Sequence, residues 1–137
     1  WGSGYDDLVG VAWAGLQGGG DRGRITLASV DGSLVQLNGF DLGVWSSGRG
    51  VSETVTVTEI GSSVPLHSWV FQENANRHWS FDVGATSRTG FVIEWTSPWW
   101  VAIDNLDSTA APVPEPAASA LMLLGLAGLG LAARRRR

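Results

Sequence analysis

Between Val51 and Ile60 the chain alternates with a period of two: Val51, Val55 and Val57 share one parity, and Ser52, Thr54, Thr56 and Thr58 the other. Successive side chains of a strand point to opposite faces, so this pattern predicts a half-buried β-strand. Similar runs, rich in β-branched and aromatic residues, occur at 24–30, 33–40, 67–71, 78–83, 90–95 and 99–106. Asp31-Gly32 separates the first two of these runs. Both residues tolerate positive φ, which predicts a tight hairpin and makes those two strands antiparallel neighbours. Glycine-rich breaks fall at 18–20 and 46–50, and no convincing helical pattern precedes residue 112. Many short strands separated by turns predict an all-β fold over residues 1–111, an antiparallel β-sandwich of jelly-roll type.

The pattern changes at Pro112. Pro112, Pro114 and Pro116 lack a backbone N–H and bias their predecessors toward extended backbone, so residues 112–116 are expected to form a stiff, accessible spacer. Ala117 to Ala133 are seventeen residues without a charge, interrupted only by Ser119 and three glycines. As a helix this stretch would span about 25 Å, at the short limit for crossing a bilayer. Leucine and alanine occur all round it, which excludes an amphipathic helix with a polar stripe. Arg134, Arg135, Arg136 and Arg137 follow, and positive flanks are retained on the cytoplasmic side, which would leave residues 1–111 outside.

Composition narrows the function classes. The 137 residues suffice for one ordinary domain and a short appendage. The absence of cysteine excludes a disulfide framework, thiolate metal ligands and a cysteine nucleophile. Residues 1–111 hold twelve acidic side chains against five arginines, and the chain contains no lysine. Such a body repels phosphate, which argues against nucleic acid as a partner.

Eight tryptophans invite a sugar-binding reading, because indole faces stack on the apolar faces of pyranose rings. Tryptophan at alternating strand positions also fills cores, and Trp79 with Phe81, and Trp95 with Ile93 and Phe91, fit one buried face. Trp99 and Trp100 are adjacent and should point to opposite faces; Trp100 has the parity of Asp104, opposite to Val101 and Ile103, and is expected to be the exposed one. Trp45 precedes a polar loop and is the second candidate for glycan contact. Catalysis has little support. His67 and His78 are the two imidazoles, neither in a known catalytic context, and both read as turn or surface hydrogen-bonding groups. Glu53 and Glu59 stand about 20 Å apart along one strand, beyond glycosidase spacing. Glu94 and Asp82 could still converge from different strands. The expectation is a protein that is not an enzyme.

The order Val-Pro-Glu-Pro, an apolar Leu/Gly/Ala stretch and a terminal arginine cluster resembles the PEP-CTERM sorting signal of exported bacterial proteins. The resemblance implies recognition by an exosortase, a membrane-embedded cysteine peptidase or transpeptidase, with Pro114, Glu115 and Pro116 as the recognition and cleavage motif. It further implies a transient inner-membrane intermediate, then the cell surface or extracellular matrix of a Gram-negative bacterium that makes exopolysaccharide. Two body segments, LNGFDLGVW (37–45) and VAIDNLD (101–107), are similar to segments of PEP-CTERM sandwich proteins. The second also looks like the last strand of carbohydrate-binding modules of the galactose-binding-like class. That similarity makes Asp104 a candidate Ca²⁺ ligand, followed by Asp6, Asp7 and Asp107, and if it extends through the body it places a first strand upstream of Trp1. No D-x-D-x-D-G calcium loop is present. The expected function is therefore an exported structural or adhesive protein associated with polysaccharide, the alternative being a calcium-stabilised carbohydrate-binding module.

Overall fold

The computed structural model describes residues 5–13, 22–30, 32–45 and 50–111, and their regular structure is entirely β. The strands are β1 (Ala12–Trp13), β2 (Arg22–Ala28), β3 (Leu34–Val44), β4 (Val51–Glu59), β5 (Pro65–Glu73), β6 (Arg77–Ser87), β7 (Gly90–Thr96) and β8 (Val101–Ala111). They form two four-stranded antiparallel sheets, ordered β1-β8-β3-β6 and β2-β7-β4-β5. Each of the seven alternating runs is a strand here, most of them longer than the pattern suggested; β1 has two residues, too few for a period to show. The spacer 112–116, the expected helix 117–133 and Arg134–Arg137 lie outside the described residues.

The sheets meet through their apolar parities. Leu37, Phe40, Leu42 and Val44 of β3, Val101 and Ile103 of β8 and Phe81 of β6 pack against Val51, Val55 and Val57 of β4 and Phe91, Ile93 and Trp95 of β7. In β3 the inward parity switches from Val35 and Leu37 to Phe40, Leu42 and Val44, because the register shifts at Leu37/Gly39. Gly39 sits at that bulge, where a Cβ would lie 2.7 Å from the Phe81 carbonyl oxygen.

One expectation fails. β2 and β3 are not neighbours: β2 gives its hydrogen bonds to β7, whereas β3 lies between β6 and β8 in the other sheet. Gly32 does take a positive φ of 76°. A turn signal reports that the chain reverses and carries no information about which edge the next strand joins.

A second, smaller core lies on the outside of the first sheet. Tyr5, Leu8 and Val11 bury themselves against Ala102, with Trp13 and Trp45 at the margin. Gly43 allows this approach, since a Cβ there would stand 2.7 Å from Tyr5 Cβ and 3.0 Å from Leu8 Cδ1.

Candidate functional site

The residues that share the outer face of the first sheet follow from its registers. Asp41 pairs with Ser80 and Asp104, and Gly43 pairs with His78 and Ala102, which places Asp41, His78, Ser80 and Asp104 on the face that the 5–11 segment covers. Tyr5 and Leu8 anchor that segment, Leu8 N–H donates to the Tyr5 carbonyl at 3.3 Å, and Asp6 adopts φ 63°. The turn so formed holds two carboxylates against the imidazole: His78 Nδ1 lies 2.7 Å from Asp7 Oδ1 and 3.5 Å from Asp6 Oδ2. Nδ1 is shielded from solvent, and neither contact has hydrogen-bond geometry. Asp7, Asp41, His78, Asp104 and Asn105 line one shallow recess of about 290 Å³.

Asp104 therefore stands near Asp7, as the calcium expectation requires, but its Oδ1 already accepts the Asn105 N–H at 2.8 Å. Asn105 takes φ 48° and donates through Nδ2 to Asp41 Oδ2 at 2.6 Å. This is turn chemistry at a bulge. Asp107 lies in a neighbouring recess with Asn38 and Asp82. The described arginines are elsewhere: Arg22 and Arg24 on β2, Arg77 beside Glu73, and Arg88 against the Gly32 carbonyl. Asp41 was not legible as a partner because its neighbours arrive from β6 and β8.

The two tryptophan candidates lie together near the start of β8. Trp45 N–H donates to the Trp100 carbonyl at 2.8 Å, and the rings stand 5.9 Å apart. Both are half-buried, Trp100 against the main core and Trp45 against the smaller one. Trp99 is the exposed member, at 43%, and meets Trp13 edge-on at 5.2 Å. The parity argument for Trp100 fails because Pro98–Trp100 form a turn in which Trp100 N–H and Val101 N–H both donate to the Ser97 carbonyl; β8 begins only at Val101. Tyr5, Trp13, Trp45 and Trp99 line an apolar recess of about 130 Å³. Trp95 is buried as expected and donates through Nε1 to the Val101 carbonyl at 3.0 Å. Trp79 packs on Phe71, yet it stays 37% exposed because β6 is an edge strand.

Among the described residues, His67 and the remaining acids do not assemble into a catalytic arrangement. His67 stacks on Trp69 at 5.1 Å within β5. Glu59 accepts from Ser87 Oγ at 2.6 Å. Glu94 faces Arg24 across β2 and β7 at 3.7 Å, and Asp82 belongs to the other sheet, so the two do not converge. Glu53 is fully buried with Val51, Val55 and Val57. Thr96 Oγ1 donates to its Oε2 at 2.8 Å, while Oε1 has no hydrogen-bond partner among the described residues. Burial pushes the Glu53 carboxyl up to about 6, and the Ser97 and Thr96 hydroxyls pull it part of the way back. Its parity with three valines was the sequence signal for this burial.

Residues 112–137 match the PEP-CTERM protein-sorting motif. The chain thus carries a sorting signal of the kind that exosortases process, which makes an exosortase the implied partner and export to the cell surface the implied route. Such a motif is itself a non-catalytic delivery element. No curated protein and no solved structure matches the chain.

Proposed function

We propose that this chain is an exported β-sandwich delivered through residues 112–137, cleaved near Pro114, Glu115 and Pro116, and retained at the surface or in the matrix of a Gram-negative bacterium as a structural or adhesive component. The observation that carries the reading is the sorting-motif match over 112–137. In this reading the domain boundary falls between Ala111 and Pro112, residues 117–133 enter the inner membrane, and Arg134–Arg137 stop on its cytoplasmic side. The strand orders β1-β8-β3-β6 and β2-β7-β4-β5 support a jelly-roll body, the double Greek key common among lectin domains. Extracellular polysaccharide is the expected contact, with Trp45, Trp100 and the more exposed Trp99 offering aromatic surface at one end of the sandwich.

Mass spectrometry of the mature C-terminus in hosts with and without an exosortase tests the delivery step. A shortened end that depends on the exosortase is expected, and an intact Arg134–Arg137 end in both hosts would reduce the motif to an anchor. Glycan-array binding that disappears in Trp100→Ala would turn the adhesive reading into a defined sugar-binding one. The second reading is a calcium-stabilised carbohydrate-binding module. In its favour, Asp7, Asp41 and Asp104 share one recess with no arginine among the described residues that line it. A melting temperature unmoved by calcium and by chelator would remove it.

A further inference from the structure

We infer that Asp6, Asp7 and His78 form a binding site for a borderline divalent transition metal of the zinc class, an alternative to the oxygen-only calcium site of the second reading, with which it shares Asp7. One imidazole nitrogen and one oxygen from each aspartate lie within 4.8 Å of one another. Nitrogen together with two carboxylate oxygens suits Zn²⁺, Co²⁺ or Ni²⁺, whereas Ca²⁺ takes six to eight oxygens and does not favour imidazole.

Packing, and not the acids themselves, sets this arrangement. Tyr5 and Leu8 are buried on either side of Asp6 and Asp7, seated on a sheet surface that Gly43 leaves flat. His78 stands directly across from Gly43 in the register, so the anchored turn places both carboxylates over one ring. The Nδ1 atom is closed to solvent and faces both carboxylates, so the nitrogen and the two oxygens converge on one small volume. Tetrahedral ligands at about 2.05 Å from zinc are about 3.3 Å apart. The Nδ1 to Asp6 Oδ2 separation of 3.5 Å already fits, and the 2.7 Å to Asp7 Oδ1 needs to open by about 0.6 Å. Asp7 is exposed and its carboxylate is free to rotate by that amount. Three protein ligands leave a fourth position for water or for a donor from another molecule.

The test uses the full chain and three probes, Zn²⁺, Co²⁺ and Ca²⁺, each alone, in isothermal titration calorimetry. Co²⁺ adds its visible d–d absorption, which reports low coordination number and a nitrogen donor. Zn²⁺ and Co²⁺ are expected to bind with one-to-one stoichiometry. Loss of an indirect partner of a metal ligand alone costs about 10- to 100-fold in affinity, so His78→Ala and Asp7→Asn should each weaken Zn²⁺ at least 10-fold. Asp41→Asn should leave Zn²⁺ affinity unchanged. Circular dichroism and thermal melts of each variant separate lost ligation from lost folding, and His78→Gln, which keeps bulk and polarity, serves as a second variant. No Zn²⁺ or Co²⁺ binding, or Zn²⁺ binding equal in wild type and both His78 variants, would overturn the inference. Calcium binding that survives His78→Ala and falls in Asp41→Asn, without zinc binding, would overturn it too and would support the calcium reading instead.

Discussion

Glu53→Gln removes a single ionisable group from between the sheets, and its effect should depend on pH in a direction the structure dictates. The carboxyl is fully buried, one oxygen is held by Thr96 and the other has no partner among the described residues. Its pKa rises from 4.5 in the ordinary state to about 6 in the folded protein, through burial first. A raised folded-state value means that the folded chain holds this proton where the unfolded chain has released it. The associated stability is fully present below pH 4.5 and is lost as pH rises through about 6. A shift of that size corresponds to about 2 kcal/mol, with Glu53 penalising the fold at neutral pH. Other carboxylates titrate in the same window, so the informative quantity is the difference between wild type and Glu53→Gln, measured by urea denaturation from pH 4 to 8. The variant should gain about 2 kcal/mol on wild type between the two ends, or about 4–8 °C of melting temperature per kcal/mol for a domain of this size. Any fixed cost of the new amide cancels in this comparison. Parallel curves for the two proteins would show that Glu53 is solvated, and would refute the reasoning.

The other expectations concern packing. Gly43→Val pushes a side chain into Tyr5 and Leu8 and should cost about 1–3 kcal/mol, with faster amide exchange confined to residues 5–13. In Trp95→Phe the buried Val101 carbonyl loses its side-chain donor, and a loss of about 1–3 kcal/mol is expected in the urea midpoint. Ser87 Oγ donates to Glu59 and accepts from Thr89 N–H and Gly90 N–H, so Ser87→Ala should lower stability by about 1–3 kcal/mol; an unchanged melting temperature would mean that water replaces the hydroxyl.

The strands were legible because alternation is a local property and β-branched residues mark it. The Val51–Glu59 run shows this most clearly, down to its Ser/Thr outer face. Pairing was not legible. Val55 meets Trp95 on β7 and Trp69 on β5, forty and fourteen residues away, and no local pattern encodes that choice. Bulges spoil parity arguments in the same way: β3 reverses its inward set around Gly39. The turn after Ser97 likewise exchanged the expected roles of Trp99 and Trp100. The site followed the same division. Asp6, Asp7 and Asp104 stood out individually, while their gathering with His78 required the 5–11 segment to fold back over Gly43. The sorting motif was readable in full because its information is linear.

β8 runs for eleven residues from the tryptophan turn to Ala111, the residue before Pro112. At about 3.3 Å per residue the strand separates its two ends by about 33 Å. Whatever holds the chain through residues 112–137 therefore holds it by the far end of this rod. The tryptophan recess and the aspartate–histidine cluster sit near the opposite end of the strand, so the length of β8 separates them from the point where residues 112–137 begin.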